Sequence, residues 1–170
     1  IFWNSFLKKT FDPKATQEKV LKRILEKNKN TIFGKEHGFS SIDNYSEYQK
    51  AVPVQNYEDL EPYIKRKIKT KNLELTSEQP ILYARTSGTT NKPKLIPILR
   101  STVNAYKWGQ RIFLYAQYTA FRDMFSGYLL AIAGPAVEGH LDNGVPYGSM
   151  SGLVYKEMRW FTKKKFILPP

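Results

Sequence analysis

The sequence predicts an α/β fold in which helices come first and strands follow. Apolar side chains recur at helical spacing through residues 1–79, whereas short apolar runs at 81–85 and 95–99 have the length and composition of strands. Helices followed by strands that a long helix joins favour this class. We therefore expect a helical segment over 1–79 and the start of an α/β core over 80–170. The two would form one incomplete domain that continues beyond the last residue.

The first two predicted helices are amphipathic. Pro13 is expected to end the first, whose apolar face consists of Phe2, Trp3, Phe6 and Leu7. The second covers about residues 16–28, and its apolar stripe consists of Val20, Leu21, Ile24 and Leu25. Asn30, Gly34 and Gly38 then predict a loop.

A third, short helix is expected after this loop. Asn44 is a suitable cap, and Glu47 stands three positions later, as in a capping box. Val52 and Pro53 predict its end after Ala51.

The start of the fourth helix has two possible positions. A cap at Asn56 would leave Pro62 beyond the first turn, where the missing N–H costs a hydrogen bond. A start at Asp59 keeps that proline within the first turn. We therefore predict the start at Asp59, with Ile64 and Ile68 facing inward.

The second half changes from helices to shorter elements. Ser101 is expected to cap a long helix that ends near Tyr118. Its residues suitable for burial are Val103, Tyr106, Phe113 and Ala116. Residues 127–133 read as a buried strand, residues 134–152 as turns and residues 153–161 as a helix.

Composition excludes several classes of site. The chain has no cysteine, so disulfides and thiolate metal sites are impossible, and its two histidines, His37 and His140, form no zinc pattern. The longest apolar run, 128–133, predicts no membrane span. Absence of cysteine fits a cytoplasmic location. The net charge of +12 attracts anions, yet the basic residues are dispersed, which favours a solvated surface.

A polar loop between the two predicted strands has the chemistry of a phosphate clamp. Its residues are Thr86, Ser87, Gly88, Thr89, Thr90, Asn91, Lys92, Pro93 and Lys94. Hydroxyls can donate to phosphate oxygens, Gly88 allows successive backbone N–H groups to converge on an anion, and lysines add positive charge. The order is not that of a Walker A motif. Composition alone fits an ordinary turn better.

The order of these residues closely resembles the phosphate loop of adenylate-forming enzymes. That superfamily shows Ser/Thr-Ser-Gly-Thr-Thr-Gly-x-Pro-Lys after a strand, and Asn91 stands where Gly is usual; Asn also tolerates a left-handed backbone. Three other segments, residues 17–39, 45–64 and 144–155, indicate one family within this superfamily. They are similar to the Gretchen Hagen acyl acid–amido synthetases, the auxin-responsive group of plants with bacterial relatives.

The resemblance implies the N-terminal part of the large domain of an adenylate-forming ligase. Such an enzyme uses ATP and Mg²⁺ to convert a small carboxylic acid to an acyl-adenylate, and an amino acid amine then displaces AMP. The residues expected at the ATP phosphates are Thr86, Ser87, Gly88, Thr89, Thr90, Asn91, Lys92 and Lys94. No catalytic residue and no metal ligand is assigned. The 170 residues alone are expected to be inactive.

Two other functions fit parts of the pattern. An acyl-CoA ligase would share the first step and use a thiol acceptor. A basic, aromatic-rich nucleic-acid binding module would fit the charge, although no nucleic-acid motif is present and we expect no specific nucleic acid. Residues 144–152 fit either an acyl-pocket border or a surface loop. Trp108, Tyr115 and Tyr118 on the long helix are more typical of a core or interface than of a pocket.

Overall fold

The computed structural model describes residues 2–70, 72–86 and 93–167, and the chain divides into two compact units. Unit 1 extends to Gln79, and unit 2 begins at Pro80. The assignment of both parts to one incomplete domain stays a prediction.

The described residues of unit 1 form helices joined by loops, without a strand. Its α-helices are α1 (Phe2–Thr10), α2 (Pro13–Asn28), α3 (Ile32–Glu36), α4 (Tyr45–Ala51) and α5 (Tyr57–Lys69), with a 3₁₀ turn at Phe39–Ser41. Its core contains the buried residues Leu25, Phe39 and Ile42, against which Leu21, Phe33, Tyr48, Ala51 and Val52 pack. Only part of the predicted α2 stripe is covered, since Val20 and Ile24 are 40% and 50% exposed.

Buried polar groups join α5 to the segment that follows it. The Glu74 carboxylate is 1% exposed and lies 2.9 Å from Arg66 Nε. Lys67 is 6% exposed and donates to the Asn72 carbonyl over 2.8 Å. Burial lowers the pKa of the Lys67 ammonium, and the Glu74 charge opposes that shift. The segment after α5 is therefore held to the helix by an ion pair and by a hydrogen bond from the Lys67 ammonium.

Three predictions about unit 1 are confirmed. Asn44 caps α4, because its Oδ1 accepts from the Glu47 N–H over 3.0 Å. The helix ends at Ala51, before Pro53. Ile64 is buried at 5% exposure.

Three other predictions about unit 1 are wrong. Helix α2 begins at Pro13 rather than near residue 16, because the missing N–H of Pro13 is not needed in the first turn and Asp12 caps the helix. Gly34 is not in a loop but within α3, capped by Thr31. Helix α5 begins after Asn56 rather than at Asp59, because these two residues form a reciprocal capping box.

Unit 2 contains a small mixed sheet. Its elements are β1 (Leu82–Arg85), β2 (Leu95–Ile98), α6 (Arg100–Ala120), β3 (Gly139–His140), β4 (Pro146–Gly148), α7 (Met150–Lys156) and α8 (Trp160–Lys163), with a 3₁₀ turn at Arg122–Phe125. The strand order is β2-β1-β4-β3. Strand β1 is antiparallel to β2 and parallel to β4, and β3 is antiparallel to β4.

The core of unit 2 lies where α6 and α7 meet one face of the sheet. Its buried members are Leu82, Ile98 and Val103, and the residues packed against them are Ile81, Ala84, Met150 and Leu153. This confirms burial of Val103 and the two predicted strands beside the polar loop.

The predicted long helix is present, but its details differ. Helix α6 begins at Arg100, with Leu99 as a cap that lacks a side-chain hydrogen bond, so Ser101 lies inside the helix. Tyr106 and Phe113 are 42% and 55% exposed, and Ala116 is also exposed. Val103, the buried residue of α6, lies in the first turn, whereas these three exposed residues lie further along the helix.

Three later predictions need correction. Residues 127–133 form no strand; Leu129 makes one isolated bridge to Phe166, and Ile132 is 98% exposed. Residues 134–152 contain β3, β4 and the start of α7 rather than turns alone. The helix predicted over 153–161 is split into α7 and α8. None of the helices within the described residues has the length and apolar character needed to cross a bilayer.

Candidate functional site

The predicted phosphate loop is the connection between β1 and β2, and its base is closed by two hydrogen bonds. The Thr86 N–H donates to the Lys94 carbonyl over 3.1 Å, and the Lys94 N–H donates to Thr86 Oγ1 over 3.0 Å. The structure therefore brings together the first and last predicted site residues. The other six, Ser87, Gly88, Thr89, Thr90, Asn91 and Lys92, lie outside the described residues.

Arg85, the last residue of β1, connects the base of this loop to β4 and to the residue that precedes β3. Its Nε lies 3.0 Å from Glu138 Oε2, and its guanidinium carbon lies 5.5 Å from the centre of the Tyr147 ring. The Glu138 N–H in turn donates to the Tyr147 carbonyl over 2.8 Å. Sequence reasoning missed this group, because Arg85 and Glu138 are far apart in the chain.

The segment before β3 passes very close to β4 and to the start of α7. Ser149 N–H donates to the Pro135 carbonyl over 2.9 Å. A Cβ atom at Gly148 would lie 2.5 Å from the Ala136 carbonyl oxygen, and one at Gly152 would lie 2.3 Å from the Gly134 carbonyl oxygen. These two glycines are buried and allow backbone to approach backbone. The surface-loop alternative for residues 144–152 is therefore wrong, and the acyl-pocket alternative stays a hypothesis.

The remaining candidate residues do not gather into a site. Met150 packs against the core of unit 2. Trp108 is 38% exposed on α6, and Tyr118 stacks on Phe125 with ring centres 6.3 Å apart. Within residues 2–70, 72–86 and 93–167, no group of three or more His, Cys, Asp or Glu side chains could hold a metal ion.

A second cluster of charge joins α6 to α7. Glu157 accepts hydrogen bonds from Lys107 and from Arg100. The bond from Lys107, and that from Arg100 in addition, hold the pKa of the Glu157 carboxyl below its ordinary value of 4.5, although burial opposes them. This cluster lies near the start of α6, away from the loop, and fixes the two helices together.

A comparison with known families identifies the chain. A profile described as the GH3 family N-terminal domain matches residues 3–170. The chain belongs to the GH3 family. This is the Gretchen Hagen group that the sequence resembles, so that prediction is confirmed.

Individual relatives agree with the GH3 assignment. The chain is 35% identical over 91 residues to indole-3-acetic acid-amido synthetase GH3.17 of Arabidopsis thaliana, which covers 52% of this chain and 15% of the relative. It is 31% identical over 110 residues to jasmonoyl–L-amino acid synthetase GH3.5 of Oryza sativa subsp. japonica, which covers 61% and 19%.

A solved GH3 structure supports the same fold. The GH3.15 acyl acid amido synthetase matches with a TM-score of 0.69 at 25% identity, over 83% of this chain and 25% of that structure. The mixed α/β fold, with helices before a small sheet, is therefore confirmed. The chain spans between 15% and 25% of the length of these three proteins.

Proposed function

We propose that the protein to which this chain belongs activates a small carboxylic acid with ATP and joins it to an amino acid as an amide. The observation that carries the proposal is the GH3 profile match over residues 3–170. The hydrogen bonds between Thr86 and Lys94 add support, because they join the first and last residues of the predicted phosphate loop.

The proposed reaction has two steps. A carboxylate oxygen of the acid attacks the α-phosphorus of ATP, the bond to the β-phosphate breaks, and pyrophosphate leaves. The amine nitrogen of the amino acid then attacks the acyl carbon, the bond to AMP breaks, and the amine proton passes to solvent. In the first step, placement and charge stabilisation supply most of the acceleration.

The residues of this chain are proposed to hold the leaving phosphates. Ser87, Thr89 and Thr90 would donate hydroxyl hydrogen bonds to β- and γ-phosphate oxygens. Lys94, the last residue of the loop, directly precedes β2 and would neutralise the departing pyrophosphate. The two hydrogen bonds between Thr86 and Lys94 support this role, because they fix both ends of the loop before the nucleotide binds.

The described residues do not provide a Mg²⁺ cage. They contain no cluster of three or more acidic or histidine side chains. Magnesium in nucleotide sites usually keeps several waters and binds phosphate oxygens with one or two carboxylates. The use of Mg²⁺ and the cytoplasmic location stay predictions, and no step above depends on either.

Acid-dependent exchange of labelled pyrophosphate into ATP tests the first step in the full-length protein. Indole-3-acetic acid and jasmonic acid are the first acids to supply, because the relatives are named for them. Exchange with neither acid, and with none of a wider panel of carboxylic acids, would refute the proposal. Amino acids and coenzyme A offered in parallel then distinguish an amido synthetase from an acyl-CoA ligase.

The loop itself is tested by the double variant Ser87→Ala/Thr89→Ala. Loss of two hydrogen bonds to charged oxygens is expected to reduce exchange by about 100-fold or more. The matched control is Thr102→Ala/Thr119→Ala, which removes two exposed hydroxyls from α6. Equal exchange rates in the two double variants would remove the loop from the proposal.

A further inference from the structure

We infer that Arg85 is a positioning residue for the phosphates of ATP, acting through the base of the loop; this inference rests on the proposed function. Arg85 directly precedes Thr86 and pairs with Leu95, so it occupies the final rung of the β1–β2 ladder before the loop. Contacts of its side chain therefore act at the point where the chain leaves the sheet.

The partners of Arg85 are themselves held in place. Tyr147 pairs with Tyr83 on one side and with Gly139 on the other. A Cβ atom at Gly139 would lie 2.6 Å from Tyr147 Oη, so the absence of a side chain there leaves the space that the tyrosine ring fills. Glu138 is bound through its backbone to the Tyr147 carbonyl. The guanidinium therefore meets a carboxylate and a ring whose backbones are both bonded into the sheet.

The solvent exposure of the Arg85–Glu138 ion pair determines how much the pair contributes to the stability of the fold. The side chains of Arg85 and Glu138 are 43% and 25% exposed. An ion pair of this exposure contributes little to the free energy of unfolding. Its removal is therefore expected to leave the fold intact and to act at the base of the loop, where Thr86 and Lys94 are bonded.

The effect of removing the Glu138 charge distinguishes an indirect, positioning role of Arg85 from a direct contact between Arg85 and phosphate. Glu138 neutralises much of the Arg85 charge, so a direct phosphate contact by Arg85 would be weakened by Glu138. Removal of Glu138 would then improve ATP binding. If Arg85 instead acts by holding the loop base, removal of either partner impairs ATP binding, and removal of both is no worse than removal of one.

The experiment measures equilibrium binding of MgATP and of AMP to the full-length protein by calorimetry. Arg85→Gln and Glu138→Gln are each expected to weaken MgATP binding about five-fold, the upper end of what an ion pair of this exposure contributes. The double variant should show the same loss. AMP binding should stay unchanged, because AMP lacks the β- and γ-phosphates that the loop would hold. Arg85→Lys, which keeps the charge beside Glu138, should recover part of the affinity.

Arg100→Gln is the matched control. It removes an arginine that pairs with Glu157, with side chains 54% and 19% exposed, at the opposite end of the hairpin from the loop. It should leave the ratio of the two affinities unchanged. Equal losses of ATP and AMP affinity in Arg85→Gln, or tighter ATP binding in Glu138→Gln, would overturn the positioning role. A wild-type protein that binds neither nucleotide and shows no pyrophosphate exchange would instead refute the proposed function.

Discussion

Tyr83 is a fully buried residue whose hydroxyl has no hydrogen-bond partner among the described residues. It lies on β1, an interior strand of the sheet, and burial raises its pKa to about 12. Tyr83→Phe is therefore expected to leave the free energy of unfolding unchanged or to raise it by about 1 kcal/mol at pH 7, because it removes an unsatisfied polar atom.

The alkaline range gives a sharper test of the same substitution. An unfolded tyrosine ionises near pH 10, whereas Tyr83 in the folded protein stays neutral until about pH 12. The unfolded state thus binds fewer protons between these values, and wild-type stability should fall by about 1.4 kcal/mol per pH unit relative to Tyr83→Phe. Urea denaturation at several pH values measures this difference. Tyr128→Phe, at a site 76% exposed, should give curves parallel to wild type.

Glu157, at the C-terminal end of α7, forms ion pairs with Arg100 and Lys107 of α6. Glu157→Gln should lower the free energy of unfolding by about 1–2 kcal/mol at pH 7, because it weakens two charge-assisted hydrogen bonds. The folded-state pKa is lowered, so this stability is present above pH 4.5 and is lost as the pH falls through the folded-state pKa. The two proteins should therefore converge in acid. Glu26→Gln, whose side chain is 71% exposed, should differ little from wild type at any pH.

At the scale of elements, α5 shows two local signals in competition. Asn56 and Asp59 each bond to the other's backbone N–H, over distances of 3.1 Å and 2.9 Å, while Pro62 lies inside the helix. Asn56→Ala should destabilise unit 1 by about 1 kcal/mol. Thermal unfolding checks this, with Asn72→Ala as the control. Asn72 is exposed, and the hydrogen bonds described for it are made by its backbone, which alanine keeps. An equal loss in both variants would remove the special role of the cap.

Gly152 fixes the junction of α7 with the backbone that precedes β3. An alanine Cβ there would lie 2.3 Å from one backbone oxygen and 2.4 Å from a backbone nitrogen, neither of which can move alone. Gly152→Ala should destabilise unit 2 by about 1–3 kcal/mol. Gly109→Ala on α6 meets nothing within 4 Å and should stabilise by up to about 1 kcal/mol, because alanine favours a helix. Chemical denaturation that gives both changes the same sign would contradict this account.

Sequence reasoning succeeded for elements whose signal is local. The Asn44 cap was recognisable because its partner stands three residues away, and the strands beside the phosphate loop because each is a bounded apolar run. It failed at α5, where the penalty for Pro62 was weighed above two capping bonds. It also failed at residues 127–133, because an apolar run becomes a strand only beside a partner. Strands β3 and β4 are too short to produce a periodic pattern.

In the candidate site, too, features that are contiguous in sequence could be predicted, whereas contacts between distant residues could not. The order of the loop residues could be recognised because its chemistry is contiguous. The contact between Arg85 and Glu138 could not, because only the fold brings these residues within 3.0 Å. Tyr83 gave no signal either, since burial without a partner depends on the complete environment of one atom.

At the scale of the whole molecule, the net charge of +12 and the short length relative to GH3.15 determine which ligands the isolated chain is expected to bind. The 170 residues would contribute contacts to the phosphate tail of ATP but span only 25% of that structure. We therefore predict that the isolated segment binds inorganic tripolyphosphate and ATP weakly and with similar affinity, and catalyses no pyrophosphate exchange. The full-length protein should prefer ATP if, as the proposed function requires, residues outside this segment hold the base and sugar.

Net charge alone would also attract a polyanion, so the loop variant must separate the two causes. General attraction to a basic surface weakens with salt but does not depend on two particular hydroxyls. Ser87→Ala/Thr89→Ala in the isolated segment should therefore reduce tripolyphosphate affinity at fixed salt, whereas Thr102→Ala/Thr119→Ala should not. Calorimetric titration of the three proteins decides the matter. Robust exchange by the segment, or a clear preference of the segment for ATP over tripolyphosphate, would show that these residues recognise more of the nucleotide than its tail.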